Sequence, residues 1–359
     1  MQRKHRARRA AAGAGAAVAA LVLAACGGGE SASGGGGGGG PASAAPAAAP
    51  AAGPVKVAAV IKGLDNPFFQ SMQKGIEEGG AAGGAQTTVQ AAAGITDTTG
   101  QADKLTGLAG QDFGCYIVNP ISGTNLVQGI AQVAASGKPI VNIDSPVDPG
   151  GLEAAGAKIA TYVGTDNTKA GGIAAQEVAK LVPGGGKVAV VGGIAGDVTS
   201  GARVDGFTQG LPPNLTVAQT VAANWERQEA LTQATNILRA NPDVKAFFAA
   251  NDDMGLGITR AVANEGKAGQ VQVVSVDGNP DALQAVANGE LAATVAQYPY
   301  AIGQMGVDAC RAAAGGAALP AKVDAPVALV TKDNAQQAIT TAPKPFAPYD
   351  NPFTALIKK

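Results

Sequence analysis

From Val55 onward the chain alternates between two kinds of segment, and that alternation limits the fold more than any other feature. Short apolar runs at 55–61, 86–91, 115–119, 139–144 and 159–163 have the length and β-branched content of buried strands. A second set follows at 187–191, 215–220, 244–248, 271–276 and 293–296. Helical stretches separate most of them, for example 70–82, 168–181, 227–240 and 254–265. Repeated strand–helix alternation predicts α/β architecture with doubly wound parallel sheets. Two such sets predict two similar lobes, although sequence similarity between them is weak.

Open parallel sheets bind ligands beyond the carboxyl ends of their strands. The residues at those ends are Asn66 and Phe68, Asn119, Asp144, Asn251 and Asp252, Asp277, and Gln297. Most are amides or carboxylates. An amide both donates and accepts, and a carboxylate accepts from two hydroxyls. The set therefore suits a neutral solute rich in hydroxyl groups. Asp252 reads as a cap or support for Asn251, and Asp166 and Asn167 as residues near a crossover between lobes. Asp144 and Asp277 also have the chemistry of helix N-caps.

Several functions are excluded by what the chain lacks. Its single histidine, His5, lies in the extreme N-terminal segment, so triad catalysis and histidine zinc sites are not expected. Cys26, Cys115 and Cys310 form no C-x-x-C motif, so neither a redox motif nor a zinc ribbon is indicated. No metal or cofactor is expected. Net charge is -1, charged residues make up 15%, and no basic cluster follows the first ten residues, which argues against nucleic-acid binding.

The N-terminus reads as an address. Arg3, Lys4, Arg6, Arg8 and Arg9 precede an Ala-rich apolar run ending at Leu23-Ala24-Ala25-Cys26. This is the pattern of a secretory signal peptide, expected over 1–25. The tetrad resembles the lipobox of bacterial lipoproteins, which implies a diacylglycerol on the Cys26 thiol. Residues 26–54 are dominated by Gly, Ala, Ser and Pro and read as a flexible tether reaching roughly 30 Å.

Together these residues resemble the ribose-type periplasmic sugar-binding proteins, the substrate-binding subunits of ABC importers. The resemblance runs from Val55 to about Thr341. It rests on Asn66-Pro67-Phe68-Phe69, Val118-Asn119-Pro120, Ile143-Asp144, Gly193-Ile194-Ala195-Gly196, Arg203-Val204-Asp205-Gly206-Phe207, Ala249-Ala250-Asn251-Asp252, Val276-Asp277-Gly278 and Ala293-Thr294-Val295-Ala296-Gln297, in that order. It implies a sugar or polyol sandwiched by Phe68, Phe69 and Trp225 and ringed by Asn66, Asp144, Arg203, Asn251, Asp277 and Gln297. Two positions depart from the family. Ribose binders usually have Arg where Ser145 stands, and often an aromatic where Val276 stands; both are lesser candidate contacts, and both departures disfavour ribose itself.

The same resemblance implies three crossovers between lobes, near Gly164-Thr165, near Gln297-Tyr298 and near 325–328. One lobe would comprise 55–164 and 298–326, the other 165–297 and 327–342, leaving 343–359 as a Pro-rich tail. Cys115 and Cys310 would share the first lobe, either bridged or as two buried thiols. The expected protein is a non-enzymatic monomer, lipid-anchored at the outer face of the cytoplasmic membrane or periplasmic, that hands its ligand to a permease. A sensor partner on the same scaffold, or a binder of another solute such as an amino acid, is the alternative. A glycosidase using Asp144 and Asp277 is disfavoured, and a repressor of similar fold would need a helix-turn-helix where the signal stands.

Overall fold

The computed structural model describes residues 53–358, so the signal peptide, Cys26 and all but the end of the tether lie outside the described residues. The first half runs β1 (Lys56–Ile61), α1 (Pro67–Gly83), β2 (Gln86–Ala91), α2 (Thr98–Ala109), β3 (Cys115–Val118), α3 (Val127–Ala135), β4 (Ile140–Ile143), α4 (Pro149–Ala154) and β5 (Thr161–Gly164). The second runs α5 (Asn167–Leu181), β6 (Gly186–Gly192), α6 (Val198–Gly210), β7 (Leu215–Ala222), α7 (Arg227–Ala240), β8 (Val244–Ala249), α8 (Asp252–Asn264), β9 (Gln272–Asp277), α9 (Pro280–Asn288) and β10 (Ala293–Gln297). The chain then returns through α10 (Pro299–Ala314) and β11 (Lys322–Asp324), and crosses again into β12 (Val327–Thr331) and α11 (Ala335–Thr341).

These strands form two six-stranded sheets, β11-β5-β4-β3-β1-β2 and β12-β10-β9-β8-β6-β7. The central strands β1, β3, β4, β6 and β8 are almost wholly apolar and buried, as parallel strands covered on both faces must be. One strand departs from the expected all-parallel sheets: β12 pairs antiparallel with β10. The cause is topological. The chain enters the second lobe at Ala325-Pro326, from the carboxyl ends of the strands, so β12 must run away from that edge.

Helix α1 begins at Pro67, three residues before the run expected from periodicity. Asn66 caps it, its Oδ1 accepting from the Phe68 N–H at 2.9 Å, and proline at the first helical position needs no donor. Helices α1 and α10 pack close because each sets a glycine against the other's backbone: a Cβ at Gly75 would collide with the Tyr300 carbonyl, and one at Gly303 with the Met72 carbonyl. Cys115 of β3 and Cys310 of α10 form a disulfide with Cα atoms 5.5 Å apart.

The Pro-rich tail packs onto the body. After α11 the chain leaves the second lobe and places Phe346 edge-on against Tyr298. Tyr349 hydrogen-bonds Gln304 at 3.3 Å, and the Asn351 amide donates to Asp308 at 2.9 Å, both on α10. Phe353 is then fully buried in the first lobe's core, within a 3-10 turn at Pro352–Leu356. This is a fourth passage between lobes, additional to the three expected crossovers. Phe353→Ala should destabilise the first lobe by about 3–5 kcal/mol, the usual cost of emptying a phenylalanine site. Chemical denaturation checks this.

Candidate functional site

The site is a cavity between the lobes at the carboxyl ends of both sheets. It brings together Asn66, Phe68, Phe69, Asp144, Ser145, Arg203, Trp225, Asn251, Asp277 and Gln297. The first lobe supplies Phe68 and Phe69 in an edge-to-face pair with centroids 5.1 Å apart. The second supplies Trp225, whose ring covers Gly193, where any Cβ would collide with the indole. Among the described residues four non-glycines adopt positive φ: Asp144 (61°), Asn224 (50°), Trp225 (66°) and Asp277 (140°). All four line this cavity. Such conformations cost about 1–3 kcal/mol each and persist where the surroundings impose them, characteristically at functional sites.

Arg203 is the organising charge. Its Nε donates to Asn167 Oδ1 at 2.8 Å, and its Nη1 donates to the Ala250 carbonyl at 2.6 Å and to Asp277 Oδ1 at 3.2 Å. Its Nη2 has no protein partner among the described residues, although the side chain is almost fully buried. The guanidinium lies 5.8 Å from the Trp225 ring, within cation–π range. Close packing of α5 on α6 holds it: Gly171 and Gly206 each meet backbone of the facing helix.

Asp277 Oδ1 also accepts from Gln297 Nε2 at 2.7 Å, while Gln297 Oε1 is buried without a partner. Asn251 caps α8 through Oδ1, which accepts from the Met254 N–H at 2.9 Å. Its amide nitrogen makes no protein hydrogen bond among the described residues. At Asp144 the carboxylate accepts from Ser145 Oγ at 3.2 Å, and that hydroxyl accepts from Lys62 Nζ at 2.7 Å. Beneath it, buried Asn142 pins the loop, donating to the Ser145 carbonyl at 2.8 Å and accepting from the Val147 N–H at 2.9 Å. Burial pushes the Asp144 and Asp277 carboxyls upward; Lys62 and Arg203 oppose this at Asp144, and Arg203 and Gln297 at Asp277. The cavity thus presents free donors and acceptors of both kinds between aromatic faces, an arrangement that can take hydroxyls and C–H faces together.

Three candidates lie outside this set. Val276 is fully buried in the second lobe's core and paired with Val295, because strand alternation turns it away from the cavity that Asp277 faces. It is corrected from lesser contact to core. Asn119 is fully buried and donates to Met72 Sδ at 3.3 Å. Asp252 lies below the site, accepting from Ser275 Oγ, Thr294 Oγ1 and the Asn279 N–H at 2.5, 2.7 and 2.7 Å. Asp144 and Asp277 cap no helix. The structure adds Lys62, Ile95, Thr96, Ile121, Ile194, Asp197, Thr199 and Asn224 to the lining. Each follows a strand, so the strand-end rule reaches them when applied to every strand. Asn167, assigned no chemistry from sequence, orients Arg203.

A cavity at facing sheet edges, with crossovers behind it, defines a two-lobed solute receptor. Comparison with known proteins places it further. The family profile "Periplasmic binding protein domain" matches residues 57–318, and the chain belongs to that family. It is 37% identical over 253 residues to the D-allose-binding periplasmic protein of Escherichia coli K12, covering 70% of this chain and 81% of that one. It is 32% identical over 269 residues to a ribose import binding protein of Bacillus subtilis 168, covering 75% and 85%. Among solved structures, a periplasmic solute-binding protein of an ABC transporter from Actinobacillus succinogenes 130z with bound D-allose superposes with a TM-score of 0.74 at 29% identity, covering 79% of this chain and 99% of that one. A Bacillus halodurans solute-binding protein with bound myo-inositol gives a TM-score of 0.72 at 26% identity, covering 81% and 99%.

Proposed function

We propose that this chain is the substrate-binding subunit of an ABC importer for a monosaccharide or cyclic polyol, which it captures unaltered and passes to a membrane permease. The observation that carries this reading is the convergence of Phe68, Phe69 and Trp225 with the carboxylates, amides and guanidinium of Asp144, Asp277, Asn66, Asn251, Gln297 and Arg203 on one cavity between two lobes. Relatives named for allose and ribose, and a similar fold holding myo-inositol, support the ligand class. Lys62 and Ser145 occupy the corner where ribose binders place an arginine, and this favours a ligand other than ribose. The ligand bridges the lobes, so binding energy goes into the closed arrangement. The protein acts as a monomer tethered by a lipid on Cys26 at the outer face of the membrane. The lipobox-like tetrad and the Gly-rich tether support that placement.

The test is isothermal calorimetry with the purified protein against D-allose, D-ribose, other pentoses and hexoses, myo-inositol and amino acids. Binding of a sugar or polyol at micromolar or tighter affinity, with the compound recovered intact, is expected. Tight binding of an amino acid, or silence across all the carbohydrates and polyols, would overturn the reading.

A further inference from the structure

Asn66 has a second role that its place in the cavity does not require. Its Oδ1 caps α1, and its Nδ2 reaches across the cleft to Asp253 Oδ2 at 3.3 Å. Apart from the tail, this is the only side-chain hydrogen bond between the lobes among the described residues. Asp253 does not line the cavity. It sits in the first turn of α8 with its other oxygen fixed: Arg227 donates to Asp253 Oδ1 from Nη2 at 2.6 Å and from Nε at 3.2 Å. The same Nη2 donates to Asp281 Oδ2 at 2.6 Å. Asp253 and Asp281 lie in the first turns of α8 and α9, where helix dipoles favour carboxylates. Arg227 starts α7, where a cation is disfavoured on its own, and the two carboxylates compensate it.

We propose that Asp253 is a closure latch, a positioning residue that acts through Asn66. Arg227 and Asp281 hold its carboxylate aimed across the cleft. When the lobes part, the Asn66 amide leaves and water takes its place, so the contact belongs to the closed state alone. Water competes at this partly exposed rim, so the effect is modest: about three- to tenfold on the closed population, as for one hydrogen bond. The inference rests on the proposed hinge-binding function.

Trp225 is the only tryptophan and lines the cleft, so its fluorescence reports closure. Stopped-flow fluorescence with D-allose should show Asp253→Ala releasing sugar about three- to tenfold faster, with an unchanged association rate. Asp253→Asn has one acceptor oxygen, which Arg227 claims, so its amide NH2 faces the Asn66 amide and release should be as fast as in Asp253→Ala although the Arg227 contact is kept. A second arm uses no sugar. Small-angle scattering should show a more open ensemble for Asp253→Ala, and a still more open one for Asn66→Asp, which keeps the cap but sets a carboxylate against a carboxylate. If Asp253→Ala fails to fold, Asn66→Asp decides the question. If D-allose does not bind the wild type, the scattering arm judges the latch independently. Wild-type release and sugar-free scattering in these variants would overturn it.

Discussion

Arg203→Met is expected to abolish useful sugar binding and to destabilise the second lobe. The guanidinium is buried, holds Asp277 and the Ala250 carbonyl, and leaves one nitrogen for the ligand. Hydrogen bonds to charged groups contribute about 1.5–3 kcal/mol each, so losing one or two from the ligand weakens affinity about 100-fold. Stability falls for a separate reason. Methionine fills the volume but leaves Asp277 buried without its counter-charge, and breaking a buried pair costs about 3–5 kcal/mol. The two effects separate in Arg203→Met/Asp277→Asn. With no orphaned charge, the double variant should recover most of the stability while staying unable to bind. Calorimetric titration and urea unfolding of the wild type and the two variants check this. Retained affinity in Arg203→Met would remove Arg203 from the site.

The second large effect is expected at the disulfide. Cys115 and Cys310 are 195 residues apart, and everything between β3 and α10, including the second lobe up to β10, lies inside the closed loop. A bridge over so long a loop restricts the unfolded chain strongly, by about 5 kcal/mol on chain-entropy grounds. It also clamps α10, which re-enters from the second lobe, onto the first lobe's central strands. Cys115→Ala/Cys310→Ala should therefore lower the first lobe's thermal transition by several degrees in scanning calorimetry and leave the second lobe's nearly in place. Equal shifts in both transitions would indicate that the lobes unfold as one unit.

The strands and helices are legible in sequence where burial is continuous. Runs such as 244–248 carry β-branched and aromatic residues between turn signals, and their helices keep a regular period. The polar half of the site is legible because Asp144, Asn251, Asp277 and Gln297 each stand where an apolar run stops. Lys62 and Asn224 stand at equivalent stops, but a lysine or asparagine in a loop carries no local sign that it borders a cavity; Lys62 ends half-buried and Asn224 stays exposed at the rim. At Val276 strand alternation overrides family position, turning the side chain into the core beside cavity-facing Asp277. The tail is illegible for another reason. Phe346, Tyr349 and Phe353 have no common period among their prolines, so only docking onto the body reveals that Phe353 is buried and the other two half-buried. The left-handed backbone at Trp225 has no local signal either, because a bulky aromatic does not favour it; the packed surroundings impose it.

Small-angle scattering of the purified protein, with and without a saturating sugar that calorimetry has shown to bind, tests the central claim most directly. Two lobes that shut around an intact ligand predict a smaller radius of gyration in the saturated sample, with the sugar recovered chemically unchanged. Superimposable scattering curves at full saturation, or conversion of the sugar, would contradict the account.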